Sequence, residues 1–95
     1  MRITVLGGAG KMGCISVQTL VNDPRVTEVV IADRDMQQAR SVAEYLNSPK
    51  VTLQEVDIDQ TGEFIARLRG SQALINATIR HTNLRVMEAC LAAGV

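Results

Sequence analysis

The stretch "ITVLGGAGKMGC", Ile3 to Cys14, decides the fold. Ile3–Leu6 is a short apolar run, rich in β-branched residues, and reads as a buried strand. Four glycines follow within seven positions, and Lys11–Val21 then reads as a helix stopped by Asn22-Asp23-Pro24. Within that junction Gly8-Ala9-Gly10-Lys11-Met12-Gly13 matches G-x-G-x-x-G in the context the motif requires, directly after a strand and opening a helix. Gly8 is expected to permit the tight turn. Gly10, without a Cβ, lets a pyrophosphate approach the backbone, and Gly13 lets the helix lie close to the strand. Phosphates would meet unpaired N–H groups at the positive end of the helix dipole.

The next strand supplies a second feature. Glu28–Ala32 is a buried run, and Asp33 closes it, twenty residues after Gly13. A carboxylate there accepts hydrogen bonds from an adenosine ribose. The alternative is a glycine-rich turn and a helix-initiating acid without a ligand, but strand, loop, helix and acid agree on a dinucleotide. A P-loop is excluded: Val5 stands where its first glycine belongs, and Met12 where it needs Ser or Thr. Asp33 favours a free 2′-hydroxyl, while the neighbouring Arg34 has a fork suited to phosphate. Lys11 is a second cation in the loop. Both cations read equally well as solvated surface charges, so the cofactor is NAD or NADP.

Outward from these two strands the alternation continues. Asp35 and Gln38 form a capping-box pattern ahead of Met36, Ala39, Ala43 and Leu46 at helical spacing. Val51–Val56 is a third strand. Thr61 is placed to cap a short helix carrying Phe64, Ile65 and Leu68. Ala73–Ala77 is a fourth strand. Thr82 caps a last helix, with Gly94 at its C′ position. Strands and helices in strict alternation predict an α/β fold, a Rossmann-type doubly wound parallel sheet in the order 3-2-1-4. The whole of residues 1–95 then forms one NAD(P)-binding domain. Such a sheet normally carries further strands, so the chain reads as the front part of a longer enzyme, truncated before them. The sheet edge left free is a pairing surface, and a homodimer is one expected partner.

Two later segments fall on the same side of the sheet. Val56-Asp57-Ile58 follows the third strand, where adenine is expected, and Asp57 is either an acceptor for its amino group or a loop carboxylate. Asn76-Ala77-Thr78 ends the fourth strand beside the switch point, and its small residues leave room for the cofactor. Arg80 and His81 are the available substrate-binding or acid/base groups. A lone His at a helix start is more often a polar surface residue, so the catalytic residues stay unassigned.

Composition narrows the classes. Among 95 residues, 46% are apolar and only 2% aromatic, so the core is aliphatic. Ten basic and ten acidic residues balance, which argues against a surface built for nucleic acid. One histidine and the distant Cys14 and Cys90 give no metal-ligand spacing. The cysteines read as reduced, partly buried thiols in a cytoplasmic protein. No apolar run reaches the ~18 residues a membrane span needs, and Met1-Arg2 leads into a strand rather than a signal peptide.

The stretches "VLGGAGKMG", "VVIADRD", "VDIDQ" and "INATIRHTNLRVMEACLAAGV" resemble the saccharopine dehydrogenase-like family, in its N-terminal NAD(P)-binding domain. That resemblance implies a Rossmann domain followed by a substrate domain, absent here, that completes the active site. It implies hydride transfer at the CH–NH bond of an amino-acid-derived secondary amine, with a small amino-acid-like substrate. Saccharopine and carboxynorspermidine chemistry are the family's examples. It places Gly8, Gly10 and Gly13 at the pyrophosphate, Asp33 and Arg34 at the ribose, Asp57 at adenine, and Asn76, Ala77 and Thr78 at the nicotinamide half. The chain departs from the family pattern after Ala77, where it reads Thr78-Ile79-Arg80-His81. These 95 residues alone are expected to bind cofactor without turnover. Two other readings remain: a non-enzymatic NAD(H)-sensing module, and an atypical short-chain reductase, since Gly7, Gly10 and Gly13 also satisfy G-x-x-G-x-x-G.

Overall fold

A computed structural model describes residues 1–78 and 83–95. Among them, strands and helices alternate as β1 (Arg2–Leu6), α1 (Lys11–Val21), β2 (Glu28–Asp33), α2 (Met36–Leu46), β3 (Val51–Glu55), α3 (Thr61–Leu68), β4 (Ala73–Asn76) and α4 (Asn83–Ala93). The strands form one parallel sheet in the order β3-β2-β1-β4. β1 lies at the centre, with Leu6 opposite Ala32 on one side and Asn76 on the other.

Side chains alternate across β1 and sort the core into two layers. Ile3 and Val5 join Val17, Val29, Ile31, Ala39 and Val42 beneath α1 and α2. Leu6 and Ala32 join Phe64, Leu68, Val86 and Ala89 beneath α3 and α4. Both faces of the sheet are thus covered, which is why its central strands carry continuous apolar runs. Thr4 is buried within this sheet and is satisfied by the Ser71 hydroxyl at 2.6 Å.

The helix ends show where local signals hold and where neighbours replace them. Asp35 caps α2 by accepting from the Gln38 N–H at 3.0 Å. The reciprocal arm of the box is taken over by Asp33, which accepts from the Asp35 N–H. Thr61 is the first residue of α3 rather than its cap; Gln60 holds that position without a side-chain bond. α4 closes with Gly94 at φ +78° and the Val95 N–H returning to the Cys90 carbonyl. The expected Thr82 cap lies outside the described residues. Val56 and Ala77 fall just beyond their strands, although Val56 is buried. Cys14 and Cys90 are free and half-buried, and burial pushes the Cys90 thiol up. Among the described residues, no helix is long and apolar enough to cross a membrane.

Candidate dinucleotide-binding site

The loop between β1 and α1 emerges at the point where the strand order reverses, between β2 and β4. The Gly7 N–H donates to the Ala32 carbonyl at 2.8 Å, and the Ala77 N–H donates to the Leu6 carbonyl at 2.9 Å. Gly7, at φ +76°, is the residue that takes the left-handed conformation, where L side chains are strained. Sequence reading placed that task on Gly8. The structure gives Gly8 a different constraint: a Cβ there would lie 2.9 Å from Ile31 Cγ2, so the residue is fixed by space rather than by φ.

Gly13 is the tightest position. Its hypothetical Cβ would sit 2.1 Å from the Gly7 carbonyl oxygen and 2.7 Å from Gly8 Cα. The start of α1 therefore rests directly on the loop backbone. At Gly10 the only neighbour of a Cβ among the described residues is the Gly7 oxygen, at 3.4 Å. Gly10 is exposed and is the N-cap of α1, with no side-chain cap and no acid in the first turn. The first intrahelical return is the Cys14 N–H to the Gly10 carbonyl, and the Gly10 N–H is taken by the Gly7 carbonyl at 3.0 Å, so the Lys11, Met12 and Gly13 amides are the ones without a partner one turn back, at the positive end of the helix. Lys11 and Met12 are exposed beside it, whereas Ala9 is buried. An open backbone cradle at an uncapped helix start fits a diphosphate.

Asp33 ends β2 half-buried and ties this cradle to the next connection. Its Oδ2 accepts from the Ala9 N–H at 3.1 Å, and its Oδ1 accepts from the Asp35 N–H at 3.0 Å. A hollow of about 120 Å³ opens beside it, lined by Gly7, Asp33, Arg34, Val56, Ile58 and Thr78 among others. Asp57 lines an adjoining hollow of about 250 Å³ with Arg34, Glu55 and Val56. Its Oδ1 accepts from the Asp59 N–H, so it also shapes its own turn.

Thr78 packs against the loop, its Cγ2 3.1 Å from where a Gly7 Cβ would stand; Ala77 contributes its backbone there. Asn76 is engaged differently. Its Oδ1 accepts from the Thr78 N–H at 3.1 Å, and its Nδ2 donates to Asn83 Oδ1 at 2.6 Å. It thereby joins the end of β4 to the first residue of α4 and lines a hollow beside β4 with Met87 and Leu91. Gly7, Asp33, Arg34 and Thr78 thus line one hollow, Ala9 and Ala77 join it through backbone bonds to Asp33 and Leu6, Asp57 borders it through the adjoining hollow, and Asn76 is bonded to Thr78, while Lys11 and Met12 stand exposed on the first turn of α1. The sequence reading placed Val56 and Ile58 at the site but did not find Leu6 and Ala32 as lining residues; ordinary apolar side chains at strand ends carry no motif. Arg80 and His81 lie outside the described residues.

A family model described as "Saccharopine dehydrogenase NADP binding domain" matches residues 3–95. Carboxyaminopropylagmatine dehydrogenase from Synechocystis sp. is 29% identical over 97 aligned residues, covering 100% of this chain and 24% of that protein. The chain therefore spans about a quarter of that relative's length. Among solved structures, the Escherichia coli NADPH-dependent quinone oxidoreductase complexed with NADPH superposes with a TM-score of 0.78 at 20% identity, covering 98% of this chain and 34% of that one. A Citrobacter sp. triphenylmethane reductase complexed with NADP(H) superposes with a TM-score of 0.75 at 21% identity, over 100% of this chain and 35% of that one. At these identities the superpositions speak to the fold alone.

Proposed function

The chain belongs to the saccharopine dehydrogenase family as its NAD(P)-binding domain, and from that premise we propose that it is the cofactor-holding part of an oxidoreductase acting on the CH–NH bond of an amino-acid-derived secondary amine. The observation that carries the reading is the convergence of two features at one switch point. The uncapped start of α1 at Gly10 and the Asp33 carboxylate are joined through the Ala9 amide.

Each part of the chain has a role in this reading. The loop amides and the first turn of α1 hold the pyrophosphate. Asp33 accepts from the adenosine ribose hydroxyls, and Arg34 and Asp57 border the adenine side. Ala77 and Thr78 limit the nicotinamide half beside Gly7. The bound cofactor supplies hydride exchange at nicotinamide. The domain contributes orientation, and groups outside these residues hold the amine and move its proton. The family match supports an enzyme over an NAD(H) sensor, and it supports the saccharopine dehydrogenase line over a short-chain reductase. Pairing of two copies along the free edge of β4 belongs to the same proposal, and size-exclusion chromatography over a range of concentrations tests it.

The experiment for the activity is reductive coupling. The whole protein carrying this domain is mixed with NAD(P)H, an amino-acid-derived amine and a carbonyl compound, and cofactor consumption and secondary-amine product are followed together. Product formed in proportion to cofactor consumed is expected. Cofactor binding without turnover across such pairs would favour a sensor instead.

A further inference from the structure

We propose that the outward face of α1, centred on Met12, Ile15 and Thr19, is a docking surface for the substrate-holding portion of the longer protein that carries this domain. The inference rests on the reading of the chain as the cofactor-holding part of an oxidoreductase. The chain spans 24% of its Synechocystis relative, and in that reading the groups that hold the amine lie outside it. They must stand beside the dinucleotide cradle. α1 is the helix that starts there, with Gly10 of the loop as its N-cap.

Charge sets α1 apart from the other outer helices. From Met12 to Asn22 the chain carries no Asp, Glu, Lys or Arg, whereas α2 exposes Arg40 and Glu44, α3 Glu63, and α4 Arg85 and Glu88. Two large apolar side chains stand outward instead, Met12 70% exposed and Ile15 60% exposed. With the exposed Thr19 they follow at i, i+3 and i+7 and so share one stripe. α4 also exposes Leu84, Met87 and Leu91, but Arg85 and Glu88 interrupt them. The polar neighbours on α1 turn their donors inward. Ser16 Oγ donates to the Met12 carbonyl at 3.2 Å, Thr19 Oγ1 to the Ile15 carbonyl at 3.0 Å, and Asn22 Nδ2 to the Gln18 carbonyl at 3.0 Å. The face can therefore lose its water without leaving these donors unpaired. Depleted charge and an exposed methionine are features of the centre of an interface rather than of a solvated helix.

Size selects the occupant. The 11 residues of α1 make a strip about 16 Å long and about 10 Å wide, on the order of 200 Å². A separate chain needs roughly 800 Å² per partner for a standard interface, and a second copy paired through α1 alone falls short of that. A portion of the same polypeptide needs less, because its tether keeps it at high effective concentration. Continuity points the same way. Met12 lies in the first turn of α1, just past the Gly10 N-cap, so whatever covers the strip also borders the cradle.

The test uses the whole protein carrying this domain. Ile15→Cys is labelled with a maleimide, and Tyr45→Cys on α2, at a position 77% exposed, is the comparison. Each rate is read by peptide mass above the background of Cys14 and Cys90 and divided by the rate in urea-unfolded chain. Ile15→Cys is expected to react at least about tenfold more slowly than Tyr45→Cys in the native protein. Equal rates overturn the docking surface, whatever the activity. Protection that is lost on dilution assigns the face to a second copy and overturns the tethered occupant. Slow labelling in a protein that couples no amine and carbonyl pair upholds the covered face and overturns the oxidoreductase reading instead. Ile15→Lys adds a functional readout. Its kcat/KM for reductive coupling should fall by about tenfold or more, while NADH affinity stays within about twofold of the parent. An unchanged kcat/KM, or an equal loss in NADH affinity, overturns the role.

Discussion

Replacing Gly13 by alanine separates the structural glycine from the ligand-facing one. The added methyl carbon would stand 2.1 Å from the Gly7 carbonyl oxygen and 2.7 Å from Gly8 Cα. Ordinary carbon contacts begin near 3.5 Å, so α1 must withdraw from the loop by more than roughly 1 Å. The obstructing atoms are backbone, so no side-chain rotation relieves the clash. Overpacking a core typically costs about 1–3 kcal/mol when side chains can adjust, and this position belongs at or above the upper end. Alanine's better helix propensity returns at most about 1 kcal/mol. A net loss of at least about 2 kcal/mol is expected, a large part of the roughly 5–14 kcal/mol available to a domain of this size. At about 4–8 °C per kcal/mol, the melting temperature followed by circular dichroism should fall by roughly 10–20 °C. Gly10→Ala is the internal comparison, because among the described residues its Cβ meets only one atom, at 3.4 Å. Its stability should stay within about 1 kcal/mol of the parent, while dinucleotide affinity falls by about tenfold or more. A Gly13→Ala protein that melts within about 2 °C of the parent would refute the close-packing argument.

Other parts of the molecule give independent expectations. Thr4→Val leaves the buried Ser71 hydroxyl without its 2.6 Å partner and should cost about 1–3 kcal/mol in urea unfolding; adding Ser71→Ala should recover much of it, and strict additivity would argue against the pair. Asp23 is held at about 2, below its ordinary 3.8, chiefly by the side-chain hydrogen bond from Arg25. A depressed folded pKa stabilises above the unfolded value and is lost as pH falls through the folded one. The deficit of Asp23→Asn in thermal melts should therefore be present at neutral pH and vanish as pH drops from about 4 to about 2; a constant deficit would exclude that carboxylate as the source. Burial pushes the Cys90 thiol up, so alkylation there should be slower than in urea-unfolded chain, and equal rates would contradict the packing of α4 on the sheet.

The strand order and the glycine loop were legible because each element carries its own signal. Ile3–Leu6 and Val29–Ala32 are largely apolar without strict alternation, the pattern of strands in a sheet covered on both faces. What escaped the sequence depends on which neighbour arrives. The Gly7-Gly8 doublet does not say which residue turns left-handed; that follows from the Gly7 bond to Ala32 on the adjacent strand. Asp33 reads as a ribose ligand, but its grip on Ala9 joins groups far apart in the chain. The Asp35–Gln38 box reads locally as reciprocal, yet Asp33 supplies the second arm. Asn76 reads as a cofactor neighbour because it ends a strand, whereas its amide is occupied by Thr78 and Asn83.

The most direct measurement is an amide-resolved NMR titration of the domain with NADH. Shifts should concentrate in the amides of Gly7 to Gly13 and at Asp33 and Arg34, with smaller changes at Val56 to Ile58 and at Ala77 and Thr78. A response centred instead on the groove of Asp59, Phe64, Arg85 and Glu88 between α3 and α4, with the glycine loop silent, would contradict the account.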